Sequence, residues 1–280
     1  MPELWKRFGS HTGAVLGLSV FSAVVLAAVL APWLAPFAPN EQFREAILLP
    51  PFTDPRFVLG TDELGRDMLT RLLYGAQLSL LVGATAVVLA LIPGVALGLL
   101  AGFYPRLLGA PIMRLMDIVL SIPALLLAVA IVAVLGPGLT NTVLAIAIVA
   151  LPSYVRLTRS AVLAEKDKDY VTAAKMAGAH DGRLMFITLL PNCLAPLLVQ
   201  ASLGFSSAIL EAAALGFLGL GVQPPTAEWG AMLSSARDYI DSAWWVVTWP
   251  GLAILVTVLA INLVGDGLRD AFDPKAWGRR

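Results

Sequence analysis

Between Asp117 and Arg156 the sequence reads IVLSIPALLLAVAIVAVLGPGLTNTVLAIAIVALPSYV, without a single Asp, Glu, Lys or Arg. A charged side chain near the centre of a bilayer costs about 2.5–3.5 kcal/mol on insertion scales, so long uncharged runs mark membrane spans. This run is too long for one spanning helix of roughly 20 residues. It is interrupted by Gly136, Pro137 and Gly138, which are typical of a tight turn. The stretch therefore predicts two antiparallel transmembrane helices joined at these residues.

Four further uncharged runs are each long enough for one span, between Arg7 and Glu41, Arg71 and Arg106, Arg183 and Glu211, and Asp241 and Asp266. With 58% hydrophobic and 14% charged residues, the composition excludes an ordinary soluble domain, which is about 45–50% apolar and roughly 25% charged. We predict an all-α membrane protein with six transmembrane helices. They are Gly13–Ala35, Leu78–Phe103, Arg114–Leu135, Leu139–Leu157, Cys193–Leu220 and Ala243–Leu268.

The distribution of basic residues predicts the orientation. If the N-terminus is cytoplasmic, 14 of the 19 Lys and Arg residues lie on the cytoplasmic side. The positive-inside rule therefore places both termini in the cytoplasm. The first helix follows Lys6 and Arg7 as in a signal peptide, but its apolar run exceeds the roughly 7–15 residues of a signal sequence. An uncleaved span is favoured.

These assignments divide the chain into three parts. We expect a cytoplasmic N-terminal segment at 1–12, a transmembrane domain at 13–268 and a cytoplasmic tail at 269–280. Within the domain we expect outer loops at 36–77 and 221–242 and a cytoplasmic loop at 158–192.

Several kinds of chemistry are disfavoured by the sequence. It contains no G-x-x-x-x-G-K-[ST] phosphate loop, no G-x-S-x-G nucleophile elbow and no H-E-x-x-H zinc pair. Cys193 is the one cysteine, and His11 and His180 are the two histidines, which disfavours a zinc site. The formal net charge of zero gives no bulk field for nucleic acid. We predict no catalytic residue, no metal, no cofactor and no ATP hydrolysis by this chain.

The long cytoplasmic loop predicts a compact knob of two short helices. Asp169 can cap a helix from Tyr170 to Ala177, which Gly178 can end in a left-handed conformation. A second helix can run from Asp181 to Leu190, where Pro191 is expected to break it. A solvated, charged loop is the alternative interpretation of the same residues.

Other charged residues are weaker candidates. After Asp62 a set of apolar residues falls on one helical face, which predicts a helix at the outer interface before the second span. Its members are Leu64, Met68, Leu69, Leu72 and Leu73. Glu211 is an acid at the end of an uncharged run, and a role in the transport path and a role as an outer anchor both remain open. Asp117 and Asp266 are expected to pair with Arg114 and Arg269, respectively.

The loop sequence also carries a resemblance. The string YVTAAKMAG at 170–178, followed by Ile187 and by LPN at 190–192, resembles the EAA loop of binding-protein-dependent ABC importer permeases. Thr172 stands where that family has Glu, and Leu189 stands just before the final Leu-Pro. In the family this loop is the coupling helix that sits in a cleft of the ATP-binding subunit. The resemblance therefore implies a coupling role for Tyr170, Thr172, Ala173, Ala174, Gly178, Ala179, His180 and Asp181.

Further segments resemble one group within that family. The C-type permeases of the dipeptide, oligopeptide and nickel group are similar at LGTDELGRD (59–67), GFLGLGVQPP (216–225), WG (229–230) and GDGLRD (265–270). The segments 41–44, 192–196 and 242–248 are most similar to the dipeptide members. The resemblance runs from about Gly13 to Pro274.

The resemblance implies a type I importer permease (MetI-like) fold in the bacterial inner membrane. The implied function is that of a channel-forming subunit moving dipeptides or related small peptides from periplasm to cytoplasm by alternating access. The implied partners are a paralogous permease subunit in a heterodimer, two ATP-binding subunits that bind ATP and Mg, and a periplasmic dipeptide-binding protein. A nickel or oligopeptide importer permease and a stand-alone secondary transporter are the alternatives.

Overall fold

The computed structural model describes residues 7–272, so the predictions for 1–6 and 273–280 lie outside the described residues. Its principal helices are α1 (Thr12–Val29), α2 (Met68–Phe103), α3 (Ala110–Leu120), α4 (Ala124–Leu135), α5 (Leu139–Glu165), α6 (Asp169–Met176), α7 (Leu190–Phe217), α8 (Trp229–Ser235) and α9 (Trp244–Phe272). Shorter helical segments are Ala31–Leu34, Arg44–Ala46, Pro105–Gly109, Asp181–Arg183, Leu184–Leu189 and Arg237–Tyr239.

Within residues 7–272, six helical units can cross a membrane by length and composition. Five are helices of 18 residues or more, namely α1, α2, α5, α9 and the continuous helix Asp181–Phe217 that contains α7. The sixth is the pair α3 and α4 with the segment Pro105–Gly109, bent by 89° at its break. The predicted fold class, an all-helical membrane protein, is confirmed.

The prediction of one continuous helix over Arg114–Leu135 is wrong. Helix α3 ends at Leu120 and α4 begins at Ala124. Pro123 has extended backbone angles, φ −54° and ψ 132°. Proline lacks the N–H that would continue the helix, and it disfavours a helical conformation at Ile122 before it. At this break the chain changes direction almost by a right angle.

Small residues of α2 allow α2 and α5 to pack closely. A Cβ at Gly102 of α2 would lie 2.7 Å from Cβ of Val162 on α5. One helical turn earlier, a Cβ at Gly98 would meet Thr158, and two turns earlier a Cβ at Gly94 would meet Tyr154 in the same way. Close backbone approach of this kind replaces the hydrophobic driving force that is missing between helices in lipid.

Helix α7 forms the centre of the bundle, and it packs on α2, α5 and α9. Ala212 and Leu215 of α7 lie in a buried cluster with residues of α2 and α5. Ile209 lies in a second cluster with Val258 of α9. Many large apolar side chains elsewhere stay exposed, including Ile92 and Val134. A soluble protein rarely exposes so much apolar surface, whereas lipid covers it at no cost.

The bundle has two ends of different construction. At one end the main-chain N–H of Gly138 donates to the carbonyl of Leu220 (3.4 Å), and the segment 36–67 covers the start of α9. We call this the loop end. At the other end the Tyr104 hydroxyl donates to Asp181. We call this the knob end, and residues 166–189 the knob.

Candidate functional site

The knob is anchored to the bundle by one buried apolar cluster. Val171 of α6 points inward and is buried, together with five residues of α2, α5 and the helix Asp181–Phe217. These are Leu99, Val162, Leu184, Leu189 and Cys193. The cluster therefore packs the knob against α2, α5 and the first part of α7.

Polar contacts fix the two edges of the knob. Glu165, the last residue of α5, accepts hydrogen bonds from Lys168 Nζ (2.6 Å) and Tyr170 Oη (2.7 Å). Burial, followed by the hydrogen bond to Glu165, raises the pKa of Tyr170 to about 12, so the phenol stays protonated. On the opposite edge Asp181 accepts a hydrogen bond from the hydroxyl of Tyr104.

Gly178 makes the turn between the two helical parts of the knob. Its φ is +81°, as predicted, and its N–H donates to Lys175 O (3.0 Å). A Cβ at Gly178 would meet nothing within 4 Å. The requirement for glycine is therefore conformational, because side chains disfavour the left-handed region. His180 then caps the following turn, since its Nδ1 accepts from Arg183 N (3.2 Å).

The outward face of the knob combines predicted and unpredicted residues. Thr172 and Ala173 are exposed, as a contact surface requires, whereas Ala174 and Ala179 are only partly exposed and pack on the buried cluster. Met176 is 85% exposed, and Phe186 and Ile187 are more than half exposed. The sequence argument did not include these three residues among the coupling candidates, although apolar side chains in a charged loop were the available signal.

Two details of the predicted knob are wrong. Asp169 is the first residue of α6, and Lys168 occupies the N-cap position without a side-chain cap. Pro191 does not end the second helix, which continues from Asp181 to Phe217. The π-helical segment Leu184–Leu189 changes the hydrogen-bond register just before Pro191, whose missing N–H is tolerated in the first turn of α7.

The loop end contains a buried ionic network centred on Asp62. Asp62, Arg66 and Arg71 are 3%, 4% and 4% exposed, respectively. Asp62 Oδ2 lies 2.6 Å from Arg66 Nε and 3.3 Å from Arg71 Nε. Arg66 also bonds Glu63 (3.0 Å), whose pKa burial raises. Buried charges persist only when they are paired and hydrogen-bonded, so this network fixes the loop in one arrangement.

The same loop is fastened to helices far away in sequence. The indole N–H groups of Trp245 and Trp249, in the first turns of α9, donate to the carbonyls of Thr61 (3.0 Å) and Leu59 (3.1 Å). The prediction of an interfacial helix starting near Leu64 is wrong. Asp67 is the N-cap of α2, since its Oδ2 accepts a hydrogen bond from the N–H of Thr70. Helix α2 therefore begins at Met68, ten residues before the predicted start of the second span. The residues just before Met68 belong to the buried ionic network and are not helical.

Glu228 is another buried acid at the loop end, and the sequence argument missed it. It caps α8 by accepting from Gly230 N (2.9 Å) and Ala231 N (2.8 Å), and it accepts from Ser79 Oγ of α2 (2.9 Å). Burial raises the pKa of Glu228. The nearby Trp-Gly motif was visible in the sequence, but the contact to Ser79 depends on the fold.

The remaining charged candidates have separate positions. Glu211 lies in α7, six residues before its end at Phe217, and is partly exposed. Asp117 pairs with Arg156 of α5 (2.6 Å) rather than with Arg114, so that prediction is wrong. Asp266 is exposed, and none of the ion pairs within residues 7–272 joins it to Arg269, contrary to expectation.

A sequence model of the family described as "Binding-protein-dependent transport system inner membrane component" matches residues 94–278, which include the whole knob. The chain belongs to this family. A second model, "N-terminal TM domain of oligopeptide transport permease C", matches residues 2–51. The resemblance of the knob sequence to these permeases is confirmed, and the chain is a multi-pass permease of the inner membrane.

Relatives of known name match over nearly the whole permease. The chain is 65% identical to the Di/tripeptide transport system permease protein DppC of Pseudomonas aeruginosa, over 98% of this chain and 92% of that protein. It is 59% identical to the Dipeptide transport system permease protein DppC of Escherichia coli K12, over 98% of this chain and 93% of that protein.

A solved structure shares the fold of this permease. An inward-facing conformation of the MetNI methionine ABC transporter contains a chain that superposes with a TM-score of 0.62 and 20% identity. The match covers 74% of this chain and 98% of that chain. The predicted MetI-like architecture is therefore confirmed.

Proposed function

We propose that this chain is one of two channel-forming permease subunits of an ATP-driven importer that carries dipeptides or related small peptides into the cytoplasm. The observation that carries the proposal is the knob, whose base is locked into three long helices while its apolar outer face has no cover within the described chain. The named relatives, at 65% and 59% identity, support peptides as the cargo.

The partners follow from what one chain lacks. We found no phosphate-binding loop in the sequence, so two ATP-binding subunits supply ATP and Mg binding and the hydrolysis. A paralogous permease subunit completes a heterodimer around the path. A periplasmic dipeptide-binding protein delivers the cargo to the loop end. This arrangement places the knob end and both termini in the cytoplasm.

The knob couples the ATP-binding subunits to the path. ATP binding draws those subunits together, the knob moves with them, and the three helices joined at Val171 tilt to open the path outward; hydrolysis resets the inward state. The exposed side chains of Thr172, Ala173 and Met176 form the contact, whereas Tyr170 and Asp181 hold the knob to Glu165 and Tyr104. Ala174, Gly178, Ala179 and His180 give the knob its shape.

A substitution at Gly178 tests whether the knob couples the ATP-binding subunits to dipeptide uptake. Gly178→Val places a β-branched side chain at φ +81°, which costs roughly 1–2 kcal/mol and distorts the turn. We expect insertion and heterodimer assembly to persist while ATP-driven dipeptide uptake by the reconstituted importer falls by at least about tenfold. Gly251→Ala is the control, because its added Cβ also meets nothing within 4 Å but its φ is not positive.

Reconstitution separates this function from the alternatives. The importer in liposomes is expected to take up dipeptide only with ATP, the ATP-binding subunits and the binding protein together. Uptake by this chain alone, driven by an ion gradient, would show a secondary transporter. Uptake of nickel or of longer peptides in place of dipeptides by the complete complex would correct the cargo and leave the coupling role intact.

A further inference from the structure

A strained aromatic residue stands exposed at the loop end. Phe52 has a φ of +61°, in the left-handed region that residues with side chains disfavour. Its side chain is 76% exposed, so packing within residues 7–272 does not account for a phenylalanine at this position. Glycine would adopt the same backbone conformation without strain. A strained residue that packing does not explain is a candidate for a role in binding.

Phe52 belongs to a segment whose outer side is apolar. Its N–H donates to the carbonyl of Val58 (3.2 Å), so the two residues are neighbours across a turn. Val58 and Ile47 are 45% and 54% exposed, respectively. The residues that follow them in sequence, Leu59 and Leu48, are partly buried and pack on a buried cluster at the loop end. The segment therefore has one side on the bundle and an apolar side that the described chain leaves open.

This segment covers one end of a stripe of apolar residues on α9. At 100° per residue, five residues of the stripe fall within a sector of about 80°. They are Trp245, Trp249, Leu252, Val256 and Leu259. The last three are 42% to 54% exposed, and lipid covers exposed apolar residues of a membrane helix. The two indoles instead bond the carbonyls of residues 59 and 61. The segment therefore lies between α9 and the position of the lipid.

The length of α9 places the segment at the membrane interface. Asp266 is exposed and is the first charged residue of α9 from the loop end, so it marks the far edge of the hydrocarbon. Trp249 lies about 26 Å from Asp266 along the axis, at 1.5 Å per residue. The hydrocarbon core is about 30 Å thick. The hydrogen bond from Trp249 to Leu59 thus lies near the loop-end edge of the hydrocarbon, where indoles are enriched.

The charged residues beside Phe52 are compatible with this depth. Asp54 accepts hydrogen bonds from Nη2 (2.8 Å) and Nε (3.1 Å) of Arg56, and Glu45 lies 3.9 Å from the same guanidinium. Main-chain groups without partners are excluded from hydrocarbon, and the N–H of Phe52 has its partner. The paired turn can therefore lie among the lipid headgroups while the ring reaches below them.

We infer that the apolar side of the segment 47–59 is a membrane-anchoring surface, and that Phe52 inserts its ring among the phospholipid chains of the leaflet at the loop end. The inference goes beyond the transport function and does not depend on the cargo. A phenyl ring gains about tenfold or more in partition on leaving water, which offsets the strain of a left-handed backbone. The inserted ring holds the loop end at a fixed depth beside Trp249.

Nitroxide labelling measures the depth of the segment. Cys193 is buried, and Cys193→Ser gives the background for single-cysteine variants. Phe52→Cys is compared with two references. Leu259→Cys lies on the lipid-facing stripe of α9 and is 54% exposed in the wild type, whereas Asp238→Cys replaces an exposed acid of the other loop at this end. Each variant is purified with its associated subunits, spin-labelled and reconstituted in vesicles of phosphatidylethanolamine and phosphatidylglycerol.

Collisions of the label with oxygen, which concentrates in lipid, and with a water-soluble nickel chelate are measured by electron paramagnetic resonance. We expect the ratio of oxygen to nickel collisions at Phe52→Cys to exceed that at Asp238→Cys by at least about threefold, and to approach that at Leu259→Cys. Two results would overturn the anchor. A ratio equal to that at Asp238→Cys would place the position in water. Few collisions with either reagent would show that protein covers it, and a thiol cross-linker would then identify the covering subunit.

Substitutions of Phe52 test whether the ring itself anchors the segment. The label is placed at Val58→Cys, and Phe52→Trp is compared with Phe52→Gly. Glycine relieves the strain at φ +61°, so the loop is expected to keep its fold. We expect the collision ratio at Val58→Cys to be unchanged by Phe52→Trp and to fall at least about threefold with Phe52→Gly. An unchanged ratio in Phe52→Gly would contradict the anchoring role of the ring.

Discussion

The two ends of the bundle are built on opposite principles. At the loop end, the Asp62 network and the indole groups of Trp245 and Trp249 are turned inward and paired, so the segment 36–67 is fixed to α2 and α9 through buried polar contacts. At the knob end, a buried apolar cluster holds a short helix whose outer face is left open. A loop whose polar groups are paired within the single chain is suited to a rigid docking surface. A helix whose apolar face stays uncovered is suited to binding a partner subunit.

The largest expected effect on stability is that of Asp62→Asn at the loop end. It removes the charge that Arg66 and Arg71 share, so that Arg66 keeps only its pair with Glu63 and Arg71 keeps no ion pair within residues 7–272. This change costs about 3 kcal/mol in the free energy of unfolding. SDS-induced unfolding of the purified chain in mixed micelles measures the loss. Asp117→Asn is the matched control, because the Asp117–Arg156 pair has the same 2.6 Å separation but both side chains are about half exposed. Its cost is expected to stay below about 1 kcal/mol. Equal losses would show that burial does not distinguish the two networks.

The next largest effect is expected from a comparison of the buried face of α6, at Val171, with its exposed face, at Met176. Val171→Ala opens a cavity in the cluster beneath the knob and is expected to lower the free energy of unfolding by about 2 kcal/mol. Met176→Ala removes an exposed side chain of the same helix, so stability is expected to change by less than about 0.5 kcal/mol. Co-purification of the ATP-binding subunits is expected to fall with Met176→Ala. Retained co-purification would remove Met176 from the contact surface.

A smaller effect is expected from the indole contacts at the loop end. Trp249→Phe removes the hydrogen bond to Leu59 while keeping an aromatic ring, at a cost of about 1 kcal/mol. Trp244, its neighbour in the first turn of α9, is 55% exposed, and Trp244→Phe is expected to be neutral in the same unfolding measurement. If Trp244→Phe lowers the free energy of unfolding more than Trp249→Phe does, the hydrogen bond from Trp249 to Leu59 is not what stabilises the loop end.

The features predicted correctly depend on short-range patterns. The number of spans follows from uncharged runs, and the turn at Gly178 follows from a glycine after a short helix. Some errors are local, such as the cap at Asp169 and the break at Pro191. The other errors, and the contacts that the sequence did not reveal, involve distant segments. The pairing of Asp62 with Arg71, the contact of Glu228 with Ser79 and the pairing of Asp117 with Arg156 depend on which helices become neighbours. Pro123 accounts for a break in the helix, but a proline alone does not fix the 89° angle between α3 and α4.

The central claim is that the open face of the knob meets the ATP-binding subunits in the cytoplasm. Its most direct test is labelling of Met176→Cys, in the Cys193→Ser background, with a membrane-impermeant maleimide in vesicles of known sidedness. The account predicts labelling in inside-out vesicles and protection when the ATP-binding subunits are bound. Labelling in right-side-out vesicles would place the knob outside the cell membrane, beyond reach of any ATPase, and would contradict the account.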